Sequence, residues 1–457
     1  MARQKISLAG VAAAALIALL TSSVGSVSSA VGAAGVQATT PTCDSSPEAL
    51  ARDEASLRET MRESLVFLFT NRRGRLDAAA LARAESSIRV EFIGPGRVIP
   101  APPDTLANES PSRPDPGAAA PALTDWVGVN PATCNQFQMH VPVATREILA
   151  DRAAERGLGR ADPGPDFNPD HVIRPGDWFP LPEQWGPPQT GPYFSGCLDT
   201  RMRWHTAMGA PRRMANLSSD GQVSSCSGAM VGPRHVLTAA HCVYGGNDTW
   251  HDFYVIPARD GSNMPVGSTL MSDTQGLNAG FRWYWVPAPL VAPFPNFFTG
   301  LDIAILVIPQ RLGEGTGWMG VAAIADVPLA VGNNRNLGYP GQPGAPIGFH
   351  PSQVEGGVYG DVNRCDVGDY QFPDANNWGR LADHSCDNSS GHSGGPIFQW
   401  ISNPETNTLD PAVALIISHY PAFVNEFNCA NDPRPYQATR ITPEYAQAFL
   451  FFRSWKP

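Results

Sequence analysis

"CSGAMVGPRHVLTAAHCV", residues 226–243, sets the character of the second half of this chain. Two cysteines bracket a stretch of β character, and a disulfide closing so short a loop contributes about 3 kcal/mol by restricting the unfolded chain. The pair Cys226–Cys242 would also fix the backbone around His241. A histidine beside a cysteine can be structural, a metal ligand or a base. From Cys197 onward the texture persists: "HVLTAAHCV", "HDFYVIPA", "FRWYWVPA", "DIAILVIP" and "AVALIISH" alternate with clusters of Gly, Pro, Asn and Asp. That spacing predicts an all-β barrel or sandwich, with a closing helix from Pro443 to Trp455.

Two further stretches carry chemistry. In "SCDNSSGHSGGPIF", residues 385–398, small residues flank Ser393 and allow a sharp turn that exposes its hydroxyl. They also let the N–H groups of Gly391 and Ser393 point into one small space. Such donors stabilise the oxyanion of a tetrahedral intermediate, each by about 3–4 kcal/mol. In "LDIAILVIP", residues 301–309, Asp302 opens an apolar run, so its carboxylate sits at the edge of a core. A buried carboxylate needs hydrogen-bond partners. An imidazole N–H would serve, and a strand-capping turn aspartate is the plainer alternative.

The order His241, Asp302, Ser393 joins three weak signals into a strong one. These residues and their motifs resemble the chymotrypsin-fold serine proteases, most closely the bacterial glutamyl endopeptidase branch. "DTRMRWHTAMGAPRRMANL" from Asp199 resembles that branch's lead-in, "CSGAMVGPRHVLTAAHCV" its histidine motif, "CDNSSGHSGGPIF" its serine loop and "QATRIT" from Gln437 its C-terminal passage. The likeness covers residues 197–457; residues 1–196 carry none.

The resemblance implies two antiparallel six-stranded β-barrels and a C-terminal helix, with His241 and Asp302 from the first barrel and Ser393 from the second. It implies a serine endopeptidase acting on protein or peptide substrates. His241 is then the general base, Asp302 its orienting partner, Ser393 the nucleophile, and the Gly391 and Ser393 N–H groups the oxyanion hole. No metal or cofactor is implied, and the expected state is a monomer. An inactive protease-like binding module and a serine esterase with the same triad are the alternatives, because the scaffold does not fix the acyl group.

In trypsin-like zymogens the aspartate before the nucleophile receives a newly freed N-terminus. Here His392 takes its place, and no basic site followed by Ile-Val-Gly-Gly precedes Cys226. The glutamyl endopeptidase branch also lacks that aspartate, so the resemblance implies a protease without that switch. The candidate pocket residues are Asp387, six before Ser393, Asn388, and His419, the counterpart of a histidine with which the branch reads a substrate glutamate. Tyr420-Pro421-Ala422 departs from the branch's glycine-rich continuation, and a His419 facing away is equally open. No cleavage preference follows.

The chain has 457 residues, 42% of them hydrophobic, enough for two or three domains with a sizeable core. A formal net charge of −10 argues against a general nucleic-acid binder. Arg3 and Lys5 precede the apolar run Leu8–Leu20, and small residues follow, so residues 1–30 read as a signal peptide. The run is too short to span a bilayer. The expected location is therefore secreted, extracellular or periplasmic, with no membrane contact after signal removal. Eight cysteines would there form four disulfides.

Cys365–Cys386 is the second expected pair, because both cysteines sit on segments that read as adjacent strands. Cys43–Cys134 with Cys197–Cys429 is one solution for the rest. Cys386–Cys429 is a rival, resembling a disulfide of vertebrate enzymes.

Residues 31–196 read as a propeptide, as in a zymogen, or as an accessory region, and residues 197–457 as the protease domain. The N-terminal region is partly helical and Pro-rich. Ser46 caps a helix carrying Leu50, Leu57, Met61, Leu65 and Leu68. Asp77–Arg89 and Val143–Arg156 read as further helices, 95–122 is linker-like, and 160–196, dense in Pro, Gly and Trp, is too irregular to assign. The separation between His241 and Asp302 predicts an insertion in 244–300, with "FRWYWVPAPLVAPFPNFF" as an aromatic wall over the cleft.

Overall fold

The computed structural model describes residues 43–102, 123–162, 201–204, 206, 209–276, 279–291, 300–341, 356–361, 364–368, 379–386, 388, 391–403, 408–419 and 436–456. The expected helices are present. The helix Pro47–Phe69 starts where Ser46 accepts a hydrogen bond from Ala49 N at 3.2 Å, with proline in its first turn. Ala78–Ser87 begins after Asp77, which accepts from Ala80 N at 3.0 Å. Val143–Glu155 and the C-terminal helix Pro443–Arg453 complete the set. In the linker-like stretch 95–122, Arg97–Pro100 is instead a strand.

Two mainly antiparallel sheet systems carry the β-rich half, as the texture predicts. In the first, the strand order is Arg89–Pro95, Asn135–His140, Asp125–Val129, Trp283–Pro287, Ala304–Val307, His235–Thr238, Ser224–Gly232, Met214–Ser218, Tyr254–Pro257, Thr269–Leu270. This sheet has ten strands where six were expected. Three of the extra strands come from the N-terminal region, whose strand Asp125–Val129 pairs along Trp283–Pro287 and carries two more strands with it; the fourth extra is one short strand, Thr269–Leu270, at the far edge. A fourth N-terminal strand, Arg97–Pro100, runs parallel to Thr249–Asp252 in a separate small sheet. The second system has seven strands, among them Pro396–Asn403, Thr408–His419 and Tyr436–Arg440.

The described part of the aromatic stretch is core and does not overhang a cleft. Trp283, Tyr284 and Trp285 are at most 1% exposed, in a strand flanked on both edges. Alternation sends Trp283 and Trp285 to one face and Tyr284 to the other. Trp285 meets Phe452 and Trp455 of the C-terminal segment with ring centroids 5.5 Å apart, and Trp283 meets Phe137 at 5.6 Å. On the opposite face Tyr284 stacks on Phe253 at 5.4 Å. Gly128 lies opposite Trp285 in the adjacent strand, and a Cβ there would fall 2.6 Å from the indole. Core on both faces explains why this run is aromatic throughout. Residues 292–298 of the stretch lie outside the described residues.

Three disulfides are described: Cys226–Cys242, Cys365–Cys386 and Cys43–Cys134. The pairing of Cys386 with Cys365 overturns the Cys386–Cys429 rival. Cys197 and Cys429 lie outside the described residues. Beside Cys134, the buried carboxylate of Asp53 accepts hydrogen bonds from Thr133 and from the amides of Asn130 and Asn135, both at 2.8 Å.

Three buried histidines make the fold acid-sensitive. Burial pushes His235 and His384 down to about 3 and His251 to about 4. On acidification the unfolded chain protonates these rings first, so the stability they carry is complete above pH 6.5 and drains as pH falls toward 4. Asp252 opposes them, because burial raises it to about 6 and the folded state takes that proton early. Between pH 6 and 4 the three histidines outweigh Asp252, so these groups make the folded state lose stability as the pH falls. Urea unfolding at pH 6 and pH 5 checks this; equal midpoints would contradict it.

Candidate active site

The first sheet brings His241 and Asp302 to one edge. The strand His235–Thr238 ends just before His241, and Ala304–Val307 begins just after Asp302. The two are antiparallel neighbours with Thr238 opposite Ala304, so the end of one meets the start of the other. Asp302 is fully buried. One carboxylate oxygen lies 2.7 Å from His241 Nδ1, and the other accepts the His241 backbone N–H at 2.8 Å. The grip sets both ring and backbone of His241. With Nδ1–H donated to Asp302, Nε2 is the basic nitrogen of the ring.

Supports surround this pair. Cys242 ties the histidine turn Ala240–Val243 to the strand Ser224–Gly232. His251, held neutral by burial, donates from Nδ1 to Cys242 O at 3.2 Å. The Tyr445 hydroxyl donates to Gly300 O at 2.6 Å, anchoring the turn before Asp302. Each cysteine that could join His241 in a metal site is consumed by the disulfide.

The second sheet system supplies Ser393, in the turn before Pro396–Asn403. Its carbonyl accepts from Ser227 N at 2.7 Å and lies 3.6 Å from the Cys242 sulfur, so the serine loop rests against the histidine turn. Gly394 makes that approach possible. Its φ is +80°, and a Cβ there would lie 2.0 Å from Thr238 Oγ1. Among the described residues, no protein acceptor takes the N–H of Gly391 or of Ser393. His392 is fully buried, its ring packed against Gly338, where a Cβ would fall 2.2 Å from Cδ2.

Ser418 links the two halves and was missed in the sequence. Its hydroxyl donates to the Asp302 oxygen that faces His241, and its carbonyl accepts from Ser393 Oγ at 3.4 Å. The signal was a polar residue late in the apolar run "AVALIISH". The candidate pocket is less complete. Asn388 is buried, His419 is placed only by its backbone opposite Gln437, and its side chain and Asp387 lie outside the described residues.

Comparison with known proteins finds similarity over this part of the chain. Residues 226–402 match the trypsin-like peptidase domain. That domain spans all three site residues. The glutamyl endopeptidase of Bacillus licheniformis is 24% identical over 251 residues, covering 54% of this chain. The match takes in 63% of that relative's length. Solved structures that align include a Glu endopeptidase in complex with MPD, at 16% identity and a TM-score of 0.40, over 56% of this chain and 97% of the other. Another is the protease Anisep from Arthrobacter nicotinovorans, at 18% identity and a TM-score of 0.31, over 50% and 90%. Residues 226–402 thus resemble a trypsin-like peptidase domain, and the chain is distantly similar to a glutamyl endopeptidase.

Proposed function

We propose that the protein is a secreted serine endopeptidase that hydrolyses peptide bonds through His241, Asp302 and Ser393. The observation that carries this reading is the double grip of buried Asp302 on His241, with Ser418 joining the same carboxylate to the strand beside Ser393. His241 Nε2 takes the Ser393 proton as the hydroxyl attacks the carbonyl carbon. The oxyanion enters the space before the Gly391 and Ser393 N–H groups. His241 then returns the proton to the leaving amine, and water repeats the cycle on the acyl-enzyme. Asp302 keeps Nδ1 protonated throughout.

Residues 1–30, the proposed signal peptide, lie outside the described residues. Among the described residues no helix is long and apolar enough to cross a membrane. The N-terminal region 43–162 is, in this reading, a retained layer of the enzyme and not a removable propeptide. Three features support it: strand pairing along Trp283–Pro287, the hydrogen bond from Trp250 Nε1 to Gln136 at 3.0 Å, and the contact of Arg146 with Gln447 at 3.2 Å. The test of the activity is digestion of denatured casein by the purified protein, with cut sites read by mass spectrometry. Internal cuts are expected. Hydrolysis of simple esters without any peptide cleavage would move the assignment to an esterase.

A further inference from the structure

The serine loop must hold two N–H groups in a fixed direction, yet its backbone is glycine-rich. Gly391 has φ +89° and Gly394 φ +80°, both in the region where glycine is freest. Rotation of the peptide units around residue 391 would turn the Gly391 N–H out of the oxyanion space. The bonds to the loop carbonyls show how firmly the peptide units that follow residue 391 are held. His392 O accepts from Gly395 N at 2.7 Å, and Ser393 O from Ser227 N at 2.7 Å. The following amide, Gly394 N, donates to Ile417 O at 2.8 Å. These are backbone bonds and survive substitution. Gly391 O is different: it accepts from a side chain, the Ser227 hydroxyl, at 2.6 Å.

Ser227 is fully buried in the strand Ser224–Gly232, across from the serine loop. Its hydroxyl also accepts the backbone N–H of Tyr339 at 2.7 Å, and its own carbonyl accepts from Thr238 Oγ1 at 2.7 Å. Gly391 lies in a slot beside Tyr339, where a Cβ would fall 2.4 Å from Tyr339 O and 2.3 Å from Gly341 N. The hydroxyl therefore spans both walls of the slot. It pins a loop carbonyl that no backbone donor reaches among the described residues.

We propose that Ser227 is a positioning residue for catalysis: its hydroxyl latches Gly391 O and so fixes the 391–392 peptide unit that lies between the two donors, holding the N–H groups of Gly391 and Ser393 on either side of it toward the oxyanion. This inference rests on the peptidase reading above. Without the hydroxyl, Gly391 O and Tyr339 N are both buried without that partner, and buried polar groups seek replacements. Turning the 391–392 unit outward relieves the carbonyl and, through the changed dihedrals of Gly391 and His392 at its two ends, shifts the donors on either side that the transition state needs.

The experiment compares wild type, Ser227→Ala, Ser227→Thr and Ser227→Val by kcat and KM on one peptide substrate and by the rate of fluorophosphonate inactivation. Thermal melting confirms that each is folded. Loss of one oxyanion donor lowers kcat on the order of 10²-fold. That loss is expected for Ser227→Ala with KM little changed, and recovery to within a few fold of wild type for Ser227→Thr. If Ser227→Ala does not fold, the nearly isosteric Thr and Val variants decide, with Val slow and Thr fast. A merely structural role would lower the melting temperature and leave kcat of the folded protein alone; that result overturns the inference. A folded but inert wild type overturns the peptidase reading and this inference with it.

Discussion

Ser393→Ala is expected to lower kcat by about six orders of magnitude, and Asp302→Asn by about four. The first removes the nucleophile. The second is more informative, because it keeps the shape of the site. Asp302 accepts from His241 Nδ1–H with one oxygen and from the His241 backbone N–H with the other. An asparagine can offer one oxygen and one NH₂ group. With the oxygen kept on the backbone, the amide points a donor at Nδ1, so the ring moves its proton to Nε2 and cannot accept the serine proton. KM is expected to stay within a few fold, since neither atom touches the remote parts of a substrate. The double variant is expected to be no slower than Ser393→Ala alone, because the residues act as one unit. Steady-state kinetics on a fluorogenic peptide measures all three, and additive losses would contradict the shared mechanism.

The second large effect concerns the N-terminal layer. Deleting residues 43–162 is expected to leave no cooperatively folded protein. The deletion would strip Trp126, Val127, Phe137, Met139 and Leu149, all at most 2% exposed, from the core. At roughly 1.5–3 kcal/mol for each large side chain, the loss is on the order of 10 kcal/mol. That equals the whole stability of many domains. It would also uncover the edge of Trp283–Pro287, an aromatic strand prone to pairing with other chains. The layer reaches the site as well. Its strand Arg97–Pro100 pairs with Thr249–Asp252, where His251 holds the carbonyl of Cys242 next to His241. A nick within residues 163–200 is a different matter: the two pieces are expected to co-elute and remain active. An active, stably folded fragment 197–457 would contradict this picture and restore the propeptide.

Local chemistry made much of this legible. Ser46 with Pro47, and Thr442 with Pro443, mark helix starts through capping geometry that needs only neighbouring residues. His241, Asp302 and Ser393 were each a weak signal alone, and their order along the chain is what made them a candidate set. The N-terminal strands were not. Asp125–Val129 follows a Pro-rich segment and is only five residues long, and its partner lies more than 150 residues further on. Nothing local marks such a pairing. For the same reason "FRWYWVPA" read as a surface wall: aromatic density says that a run is buried or binding, and the partner strand decides which. Ser418 and Ser227 were hidden differently. Each is an ordinary serine whose role depends on a residue from the other sheet system, Asp302 for one and Gly391 for the other.

The most direct measurement is fluorophosphonate labelling of the purified protein, with the modified residue located by mass spectrometry. The probe reacts only with a hydroxyl that a neighbouring base and an oxyanion site have activated. One label per chain, on Ser393, is the expected result, with labelling abolished in Ser393→Ala and much slowed in Asp302→Asn. A cooperatively folded protein that takes no label at Ser393 would contradict the peptidase assignment and leave the fold as a binding module.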